Sequence, residues 1–511
     1  MLDGDVGLGR ALRALRSADL ARRRGRVSDL IGLIIEASGL EVEIGEVCLV
    51  GDGRGQARVA TEVVGFRGGR TLLMPLGELH GIGPGTLVEA TGEPFRVAVG
   101  EPLLGRVIDG LGAPLDGLPV LGGLDPLHPA PPADPLGVAE GDALIWRSTT
   151  ASPPDALSRP RIRDRVGLGV RALDGLIPCG RGQRLGIFAG SGVGKSSLLG
   201  MIARSTTAEV NVIALVGERG REVREFIERD LGDALEHSVV VVATSDQPAL
   251  VRIRAAFTAT AIAEYFRDQG RDVMLMMDSV TRFAMAQREV GLAIGEPPAT
   301  RGYTPSVFAL LPKLLERAGT SPTGSITGLY TVLVDGDDMN EPIADAVRSI
   351  LDGHIVLTRS LAHAGNYPAI DVLQSVSRLL DELVSDDLRA AGVRLRSALA
   401  AHREKEDLIS IGAYKSGTDA NLDAVIAMRP QIDAFLRQDV SEHSDLEQTD
   451  SLLLGLGRGL EEHASAAGAV DGVPVGAVPG LPGGPGGAGL PAVPVGTPAG
   501  APVAIPSLLL G

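Results

Sequence analysis

A glycine-rich stretch near the middle of the chain, AGSGVGKSS at Ala189–Ser197, constrains the fold more than any other feature. It follows a short apolar run, Leu185–Phe188, and it leads into a pattern typical of a helix at Ser197–Ala203. A glycine-rich turn between a strand and a helix exposes backbone N–H groups at the positive end of a helix dipole, and both attract phosphate oxygens. The stretch therefore predicts a phosphate-binding loop within an α/β sheet.

Two side chains complete this predicted phosphate site. Lys195 is expected to reach the β- and γ-phosphates of a nucleotide, and the Ser196 hydroxyl to ligate Mg²⁺. The usual pattern opens with glycine, whereas Ala189 takes that place here. A chance glycine-rich turn is the alternative, and the combination of glycines, Gly-Lys-Ser and a strand-to-helix context disfavours it. The residues predicted to bind nucleotide in this loop are Gly190, Ser191, Gly192, Val193, Gly194, Lys195, Ser196 and Ser197.

Length, charge and cysteine content limit the remaining possibilities. A chain of 511 residues can form about two to four domains. The net charge of −16 argues against a general nucleic-acid binder, because affinity for phosphate backbones needs a basic surface. The two cysteines, Cys48 and Cys179, match no metal-binding spacing. Because the cysteines are few and far apart, we expect reduced thiols in the cytoplasm. The sequence has no apolar run of membrane length and no signal-peptide core, so we expect a cytoplasmic or membrane-peripheral protein.

Changes in composition divide the chain into five predicted parts. Residues 1–26 form a basic arm, which is either a docking helix for a partner or lipid surface or a solvated terminus. Short β-runs separated by turn residues predict a small barrel or sandwich at 27–100. Strand and helix patterns alternate at 101–378, after a connector, and helical periodicity dominates 379–450. The Gly/Pro/Ala-rich segment 451–511 is expected to be disordered.

Two carboxylates follow apolar strand-like runs in the predicted α/β core. Glu218 comes after Val210–Val216, and Asp278 comes after Val273–Met277. Ligands bind at the carboxyl ends of parallel strands, so Asp278 is expected to hold Mg²⁺ together with Ser196, and Glu218 could polarise a water. Taken alone, Glu218 is better explained as a capping or solvated charge, and Arg378 as a surface cation.

Longer motifs give the chain a specific resemblance. It resembles the catalytic subunits of rotary ATPases, and within them the flagellar protein-export (type III secretion) ATPases. The 278–319 stretch is more similar to flagellar members than to injectisome or energy-coupling members. The segments that carry the resemblance are GRVIDGLGAPLDG at 105–117, AGSGVGKS at 189–196, GERGREVREF at 217–226, the stretch at 278–319, GDDMNEPIADAVRSILDGHIVLTR at 336–359 and PAIDVLQSVS at 368–377.

The resemblance implies a fold and a role for several residues. The fold is α/β, a P-loop (RecA-like) ATPase core with an N-terminal small β-barrel and a C-terminal helical domain. Glu218 matches the catalytic glutamate, Arg219 a neighbour that contacts the γ-phosphate, and Arg282 the arginine after the Mg²⁺ aspartate. Tyr367 matches the aromatic residue that packs on adenine. Arg378 matches the arginine finger that reaches the adjacent subunit's site.

The resemblance also implies an activity and a set of partners. The activity is hydrolysis of ATP, bound together with Mg²⁺, by a homo-hexamer. The hydrolysis energises or prepares proteins for export through a membrane-bound apparatus. The implied partners are a regulator or stator protein at the N-terminal arm, a central coiled-coil stalk protein, export-gate membrane proteins, and export substrates with their chaperones. No nucleic acid is expected, and the implied location is cytoplasmic, at the inner face of the cytoplasmic membrane.

Several alternatives stay open on sequence grounds. The nearest is a virulence-injectisome ATPase or an F/V-type catalytic subunit, because the catalytic residues do not separate these classes. A non-catalytic ring subunit is disfavoured by Glu218. An RNA-translocating hexamer is remote, because the predicted barrel lacks clustered aromatic and basic residues and the charge is acidic.

Overall fold

The structure, a computed structural model, describes residues 23–51, 58–118, 144–334, 336 and 338–470, with side chains to residue 466. Most of the predicted basic arm, residues 1–22, lies outside the described residues. The same holds for residues 471–511 of the predicted tail.

The N-terminal part is a closed antiparallel barrel, as predicted. Its strands follow the order β1-β2-β5-β4-β3-β6, so that no edge is left unpaired. Inward-facing residues such as Ile35, Cys48, Val63 and Leu73 are fully buried and fill the interior. The six strands are β1 Arg24–Ile31, β2 Ile34–Ser38, β3 Glu46–Val50, β4 Val59–Arg67, β5 Arg70–Pro75 and β6 Leu87–Pro94.

The barrel differs from the prediction at both ends. Its first strand begins at Arg24, within the segment predicted as a basic arm, because Arg24 pairs with Glu89 at 3.3 Å and Arg26 donates to the Gly85 carbonyl at 2.8 Å. At the other end, β7 (Arg96–Val99) leaves the barrel. After β8 (Val107–Asp109), the chain returns as β9 (Ile145–Ser148), which pairs with β7.

The central part is a largely parallel sheet with helices on both faces, as predicted for an α/β core. The strand order is β19-β18-β12-β17-β15-β13-β14-β8 with β16 beside β17, and only β16 and β19 are antiparallel. The remaining strands are β10 Arg165–Val166, β11 Cys179–Gly180, β12 Arg184–Ala189, β13 Val210–Glu218, β14 Ser238–Thr244, β15 Asp272–Asp278, β16 Gly319–Thr320, β17 Ser325–Leu333, β18 Gly353–Leu357 and β19 Val376–Ser377.

Eight helices accompany this sheet in the described residues. Strands β12, β13 and β15 are buried along almost their whole length, because helices cover both faces of the sheet. The helices are α1 Arg171–Leu176, α2 Lys195–Ser205, α3 Gly220–Glu225, α4 Ala249–Asp268, α5 Val280–Ala293, α6 Pro305–Leu315, α7 Pro342–Ile350 and α8 Arg359–His363.

A buried ion pair joins the barrel to the core, and a second one lies next to it within the core. Arg254 on α4 donates to both carboxylate oxygens of Glu62 on β4, and both residues are buried. Beside it, Arg317 donates to both oxygens of Glu264 at 2.8 and 2.7 Å and to the Thr149 carbonyl at 2.6 Å. Burying a charge is costly unless it is fully paired, so the Arg254–Glu62 pair fixes how the barrel sits on the core, while the Arg317–Glu264 pair ties α4 to the segment after α6 within the core.

Replacing Arg317 by Met is expected to destabilise the chain by about 3–5 kcal/mol, because it leaves the Glu264 carboxylate buried without its bidentate partner. Urea unfolding followed by tryptophan fluorescence and circular dichroism measures the shift in midpoint. Arg224→Met is the matched control, since Arg224 and Glu228 form an ion pair with side chains 79% and 62% exposed. The control is expected to cost at most about 1 kcal/mol. An equal loss of unfolding free energy in the two variants would contradict a stabilising role for the buried Arg317–Glu264 pair.

The C-terminal part is a small helical domain, as predicted. Leu395, Leu422, Val425 and Ile432 form its buried interior and continue into one face of the α/β core. Its helices are α9 Leu380–Leu383, α10 Asp386–Glu404, α11 Glu406–Ser410, α12 Ala420–Leu436 and α13 Leu446–Val470.

Helix α13 crosses the boundary predicted between the helical domain and the tail at 450/451, and this corrects that boundary. Leu453, Leu456 and Leu460 are buried against the neighbouring helices. Its glycines permit close helix packing, since a Cβ on Gly457 would lie 2.7 Å from the Ala391 Cβ. Among the described residues, no helix has the length and apolar character needed to cross a membrane.

Candidate active site

The glycine-rich loop lies between β12 and α2, in the strand–turn–helix setting that its sequence predicts. Ala189 is the buried last residue of β12, and α2 begins at Lys195. Gly192 and Gly194 have φ values of 79° and 91°, which side chains with a Cβ rarely adopt. Among the residues that the structure describes, no side chain caps the start of α2, so its first N–H groups remain available to an anion.

Lys195 meets both predicted carboxylates at the carboxyl ends of the strands. Its ammonium group contacts Asp278 Oδ1 directly, and Glu218 Oε1 lies 3.5 Å from Nζ. All three side chains are largely buried, being 12%, 4% and 9% exposed for Lys195, Asp278 and Glu218. The structure therefore gathers three predicted site residues, which are far apart in the sequence, into one charged cluster.

Arg282 is the fourth residue of this cluster. It lies in the first turn of α5, four residues after Asp278, and its guanidinium is 3.4 Å from each oxygen of Glu218. Arg282 Nη1 also donates to the Gly217 carbonyl. A Cβ on Gly217 would lie 2.9 Å from Arg282 Cδ, so a glycine before Glu218 lets the arginine pass close to the backbone.

The Glu218 carboxyl has an altered affinity for protons. Burial and the neighbouring Asp278 charge raise its pKa to about 7, although Lys195 and Arg282 act in the opposite direction. A carboxylate with a raised pKa is a better proton acceptor than an ordinary glutamate, and such shifts are frequent at functional sites.

Thr331 is a site residue that the sequence interpretation missed. It lies on β17 between β12 and β15, and its hydroxyl donates to Asp278 Oδ1 at 2.8 Å. The side chain is fully buried, and the contact fixes the orientation of the Asp278 carboxylate. A hydroxyl residue within the apolar strand sequence SITGLYTVL was the available signal, but strand order was needed to connect it with Asp278.

The donor set at this site suits Mg²⁺ held mainly by a nucleotide. Ser196 supplies a hydroxyl and Asp278 a carboxylate, and oxygen ligands are the ones Mg²⁺ prefers. Within the described ranges, no cluster of three or more His, Cys, Asp or Glu side chains could hold a metal alone. Mg²⁺ typically uses one or two carboxylates together with substrate phosphates, so these residues fit such an ion.

Tyr367 lies beside the glycine-rich loop. The residue is 45% exposed, and a Cβ placed on Gly194 would lie 3.5 Å from ring atom Cε1. An exposed aromatic ring next to a phosphate loop offers a surface on which a nucleotide base can stack. The packing of Tyr367 on adenine, which the family resemblance implies, stays a prediction.

Two predicted site residues do not join the cluster within one chain. The Arg219 side chain is 77% exposed and pairs only weakly with Glu222, at 3.6 Å. Arg378 is exposed, and its backbone N–H donates to Asp352, whose own N–H donates to Arg184 at the amino end of β12. The glycine-rich loop follows the carboxyl end of that strand, roughly 17 Å away.

Comparisons with known proteins match each of the three folded parts. The nucleotide-binding domain of the ATP synthase alpha/beta family matches residues 169–377, and the beta-barrel domain of the same family matches residues 27–92. The T3SS EscN ATPase C-terminal domain matches residues 384–454.

Curated relatives match almost throughout their own length. The chain is 54% identical over 444 residues to the flagellum-specific ATP synthase of Bacillus subtilis, covering 86% of this chain and 97% of the relative. It is 49% identical over 442 residues to the type 3 secretion system ATPase of Xanthomonas euvesicatoria, covering 86% and 96%.

Solved structures of type III secretion ATPases also match most of the chain. The assembled ATPase EscN from the type III secretion system of enteropathogenic E. coli matches with a TM-score of 0.76 and 45% identity, covering 85% of this chain and all of EscN. The complex of EscN with its central stalk EscO matches with a TM-score of 0.75 and 44% identity, with the same coverage.

Proposed function

This chain belongs to the ATP synthase alpha/beta family, as one of its flagellar and type III secretion ATPases, and we propose a shared ATP site between neighbouring copies in a homo-hexameric ring. The chain is an ATP hydrolase of the flagellar protein-export type. The observation that carries the site assignment is the meeting of Lys195, Glu218, Asp278 and Arg282 beside the glycine-rich loop.

In the proposed mechanism, the glycine-rich loop and Lys195 bind the phosphates of ATP. Glu218 orients a water molecule and accepts its proton as the water oxygen attacks the γ-phosphorus, and the bond to the β–γ bridging oxygen breaks to release ADP and phosphate. Ser196 and Asp278 would hold Mg²⁺, which when bound neutralises charge on the β- and γ-phosphate oxygens. Arg282 keeps the Glu218 carboxylate in place.

Arg219 and Arg378 complete the proposed site. Charge spreads over the equatorial phosphate oxygens in the transition state, and fixed cations stabilise it. Arg219 is exposed beside Glu218, so it can turn towards the γ-phosphate when nucleotide binds. Arg378 lies at the opposite end of the sheet, so it serves the site of the next copy in the ring. EscN was solved as an assembled ATPase, which supports a ring for this chain.

The proposed partners follow the same relatives. EscN forms a complex with its central stalk EscO, and we extend this to a central coiled-coil stalk protein for the present chain. A regulator at the N-terminal arm, export-gate proteins, export substrates with chaperones and a location at the inner face of the cytoplasmic membrane remain proposals based on family membership. The flagellum-specific relative at 54% identity, against 49% for the type 3 secretion relative, favours the flagellar system over the injectisome alternative.

Phosphate release by the purified full chain tests the proposed function. We expect hydrolysis of ATP in the presence of Mg²⁺, loss of turnover with excess EDTA, and recovery when Mg²⁺ is restored, because phosphates and Mg²⁺ are bound together. Lys195→Ala is expected to abolish turnover under all three conditions. Hydrolysis that persists in EDTA would contradict the Mg²⁺ assignment, and stimulation by added RNA would favour the RNA-translocating alternative.

A further inference from the structure

Gln438, which lies just beyond α12, connects three separate segments near the nucleotide site. The residue is 4% exposed. Its Oε1 accepts from the Arg171 backbone N–H at 2.9 Å, and its Nε2 donates to the Gly169 and Glu442 carbonyls at 2.7 and 2.9 Å. Its own backbone N–H donates to the Tyr367 carbonyl at 3.0 Å. Every polar group of the buried amide is thus bonded, which makes its position well defined.

Arg171 strengthens the same junction from the core side. Its guanidinium donates to the carbonyls of Ala434, Phe435 and Arg437 at the end of α12, and it pairs with the Glu442 carboxylate. A cation at this end of a helix also interacts favourably with the helix dipole. The backbone at Gln438 is therefore held firmly against the α/β core.

The junction also contacts the helix that carries Lys195. Arg204, in the last turn of α2, donates to the Val440 carbonyl at 2.7 Å. Gly169 has a φ of 73° and packs so closely on α2 that an added Cβ would lie 2.1 Å from the Ser205 Cβ. Gln438 therefore links the backbone of Tyr367 to segments that pack on the C-terminal end of α2, the helix that begins at Lys195.

From this geometry we infer that Gln438 is a positioning residue that holds Tyr367 at the distance from the phosphate loop at which its ring can stack on the base of ATP. The inference rests on the proposed function. Gln438 touches neither the phosphates nor the cluster around Lys195, so it acts on the binding of the base and leaves the chemical step unchanged. Its substitution weakens affinity for nucleotides with a base and leaves affinity for the bare phosphate chain as it was.

Steady-state hydrolysis and competitive inhibition by inorganic tripolyphosphate test this inference in the full chain. Gln438→Ala is expected to raise KM for ATP about tenfold, the range lost when one base–aromatic stack is removed, with kcat within about twofold. The inhibition constant of tripolyphosphate, which has no base, is expected to stay unchanged. Gln438→Met keeps the side-chain length and loses the hydrogen bonds of the amide. It is expected to show the same rise in KM with kcat unchanged, and it replaces the alanine variant if that variant folds poorly.

Thr449→Val is the matched control for lost stability. Thr449 is fully buried in the same helical domain, and its hydroxyl bonds with Ser444 at 3.0 Å, away from Tyr367. We expect this control to lower the unfolding midpoint without changing KM. In a Tyr367→Ala background, Gln438→Ala is expected to raise KM no further.

The outcomes separate the inference from the proposed function. A fall in kcat at unchanged KM, or an equal loss of tripolyphosphate affinity, overturns the positioning role of Gln438 while the ATPase assignment stands. Additive effects of Gln438→Ala and Tyr367→Ala overturn it as well. If the wild-type chain itself does not hydrolyse ATP, the proposed function is refuted before any variant is compared.

Discussion

A Glu218→Gln variant is expected to bind ATP with unchanged affinity and to hydrolyse it about 10²–10⁴-fold more slowly. Glutamine has nearly the same shape but cannot accept a proton from the attacking water, so the loss falls on kcat. The Lys195 ammonium keeps Asp278 as its partner, and nucleotide binding by the loop is preserved. Single-turnover hydrolysis together with equilibrium binding of a fluorescent ATP analogue measures the two quantities separately.

Glu228→Gln provides the control for this variant. Glu228 is a glutamate ten residues further on, with an exposed side chain that pairs with Arg224. We expect normal turnover from it. Turnover within a few-fold of normal in Glu218→Gln itself would mean that another group activates the water.

Removal of the Arg378 side chain is expected to have a comparable or larger effect. Arginine fingers contribute about 10³–10⁵ in kcat by neutralising charge that develops on the transferred phosphoryl group. We therefore expect Arg378→Ala to assemble and bind ATP normally but to turn over at a small fraction of the normal rate. Arg378→Lys is expected to recover only part of this, because an ammonium lacks the planar fork of a guanidinium.

Arg389→Ala is the control for the arginine variant. Arg389 is also an exposed arginine shortly after the core, and it pairs with Asp386 on its own helix. We expect its removal to leave kcat unchanged. A similar drop in both variants, or normal turnover in Arg378→Ala, would exclude Arg378 as the finger.

Local patterns were enough to predict the elements that carry the site. A glycine-rich turn before a helix and apolar runs that end in Glu218 and Asp278 depend on neighbouring residues, and these features lie where the sequence indicates. Strand order depends on packing across the whole sheet. For that reason the sequence did not reveal that β17 separates β12 from β15 and brings Thr331 to Asp278.

Long-range contacts explain what sequence reasoning missed. Gln438 bonds to residues almost 270 positions away, so no local pattern marks it as part of the nucleotide site. The glycines of α13 resemble those of the tail in composition, and only their contacts with α10 and α12 show that they serve close helix packing. The proposed target of Arg378 lies in another copy of the chain, so neither local patterns nor contacts within one chain identify it.

The proposal of a site shared between subunits is tested most directly by rings co-assembled from equal amounts of Glu218→Gln and Arg378→Ala chains. Each variant alone is expected to be nearly inactive. In mixed rings, about a quarter of the interfaces combine an intact Glu218 in one copy with an intact Arg378 in the next, so turnover is expected to recover to roughly that fraction. Mixed rings that stay as inactive as either variant alone would contradict a site built from two subunits.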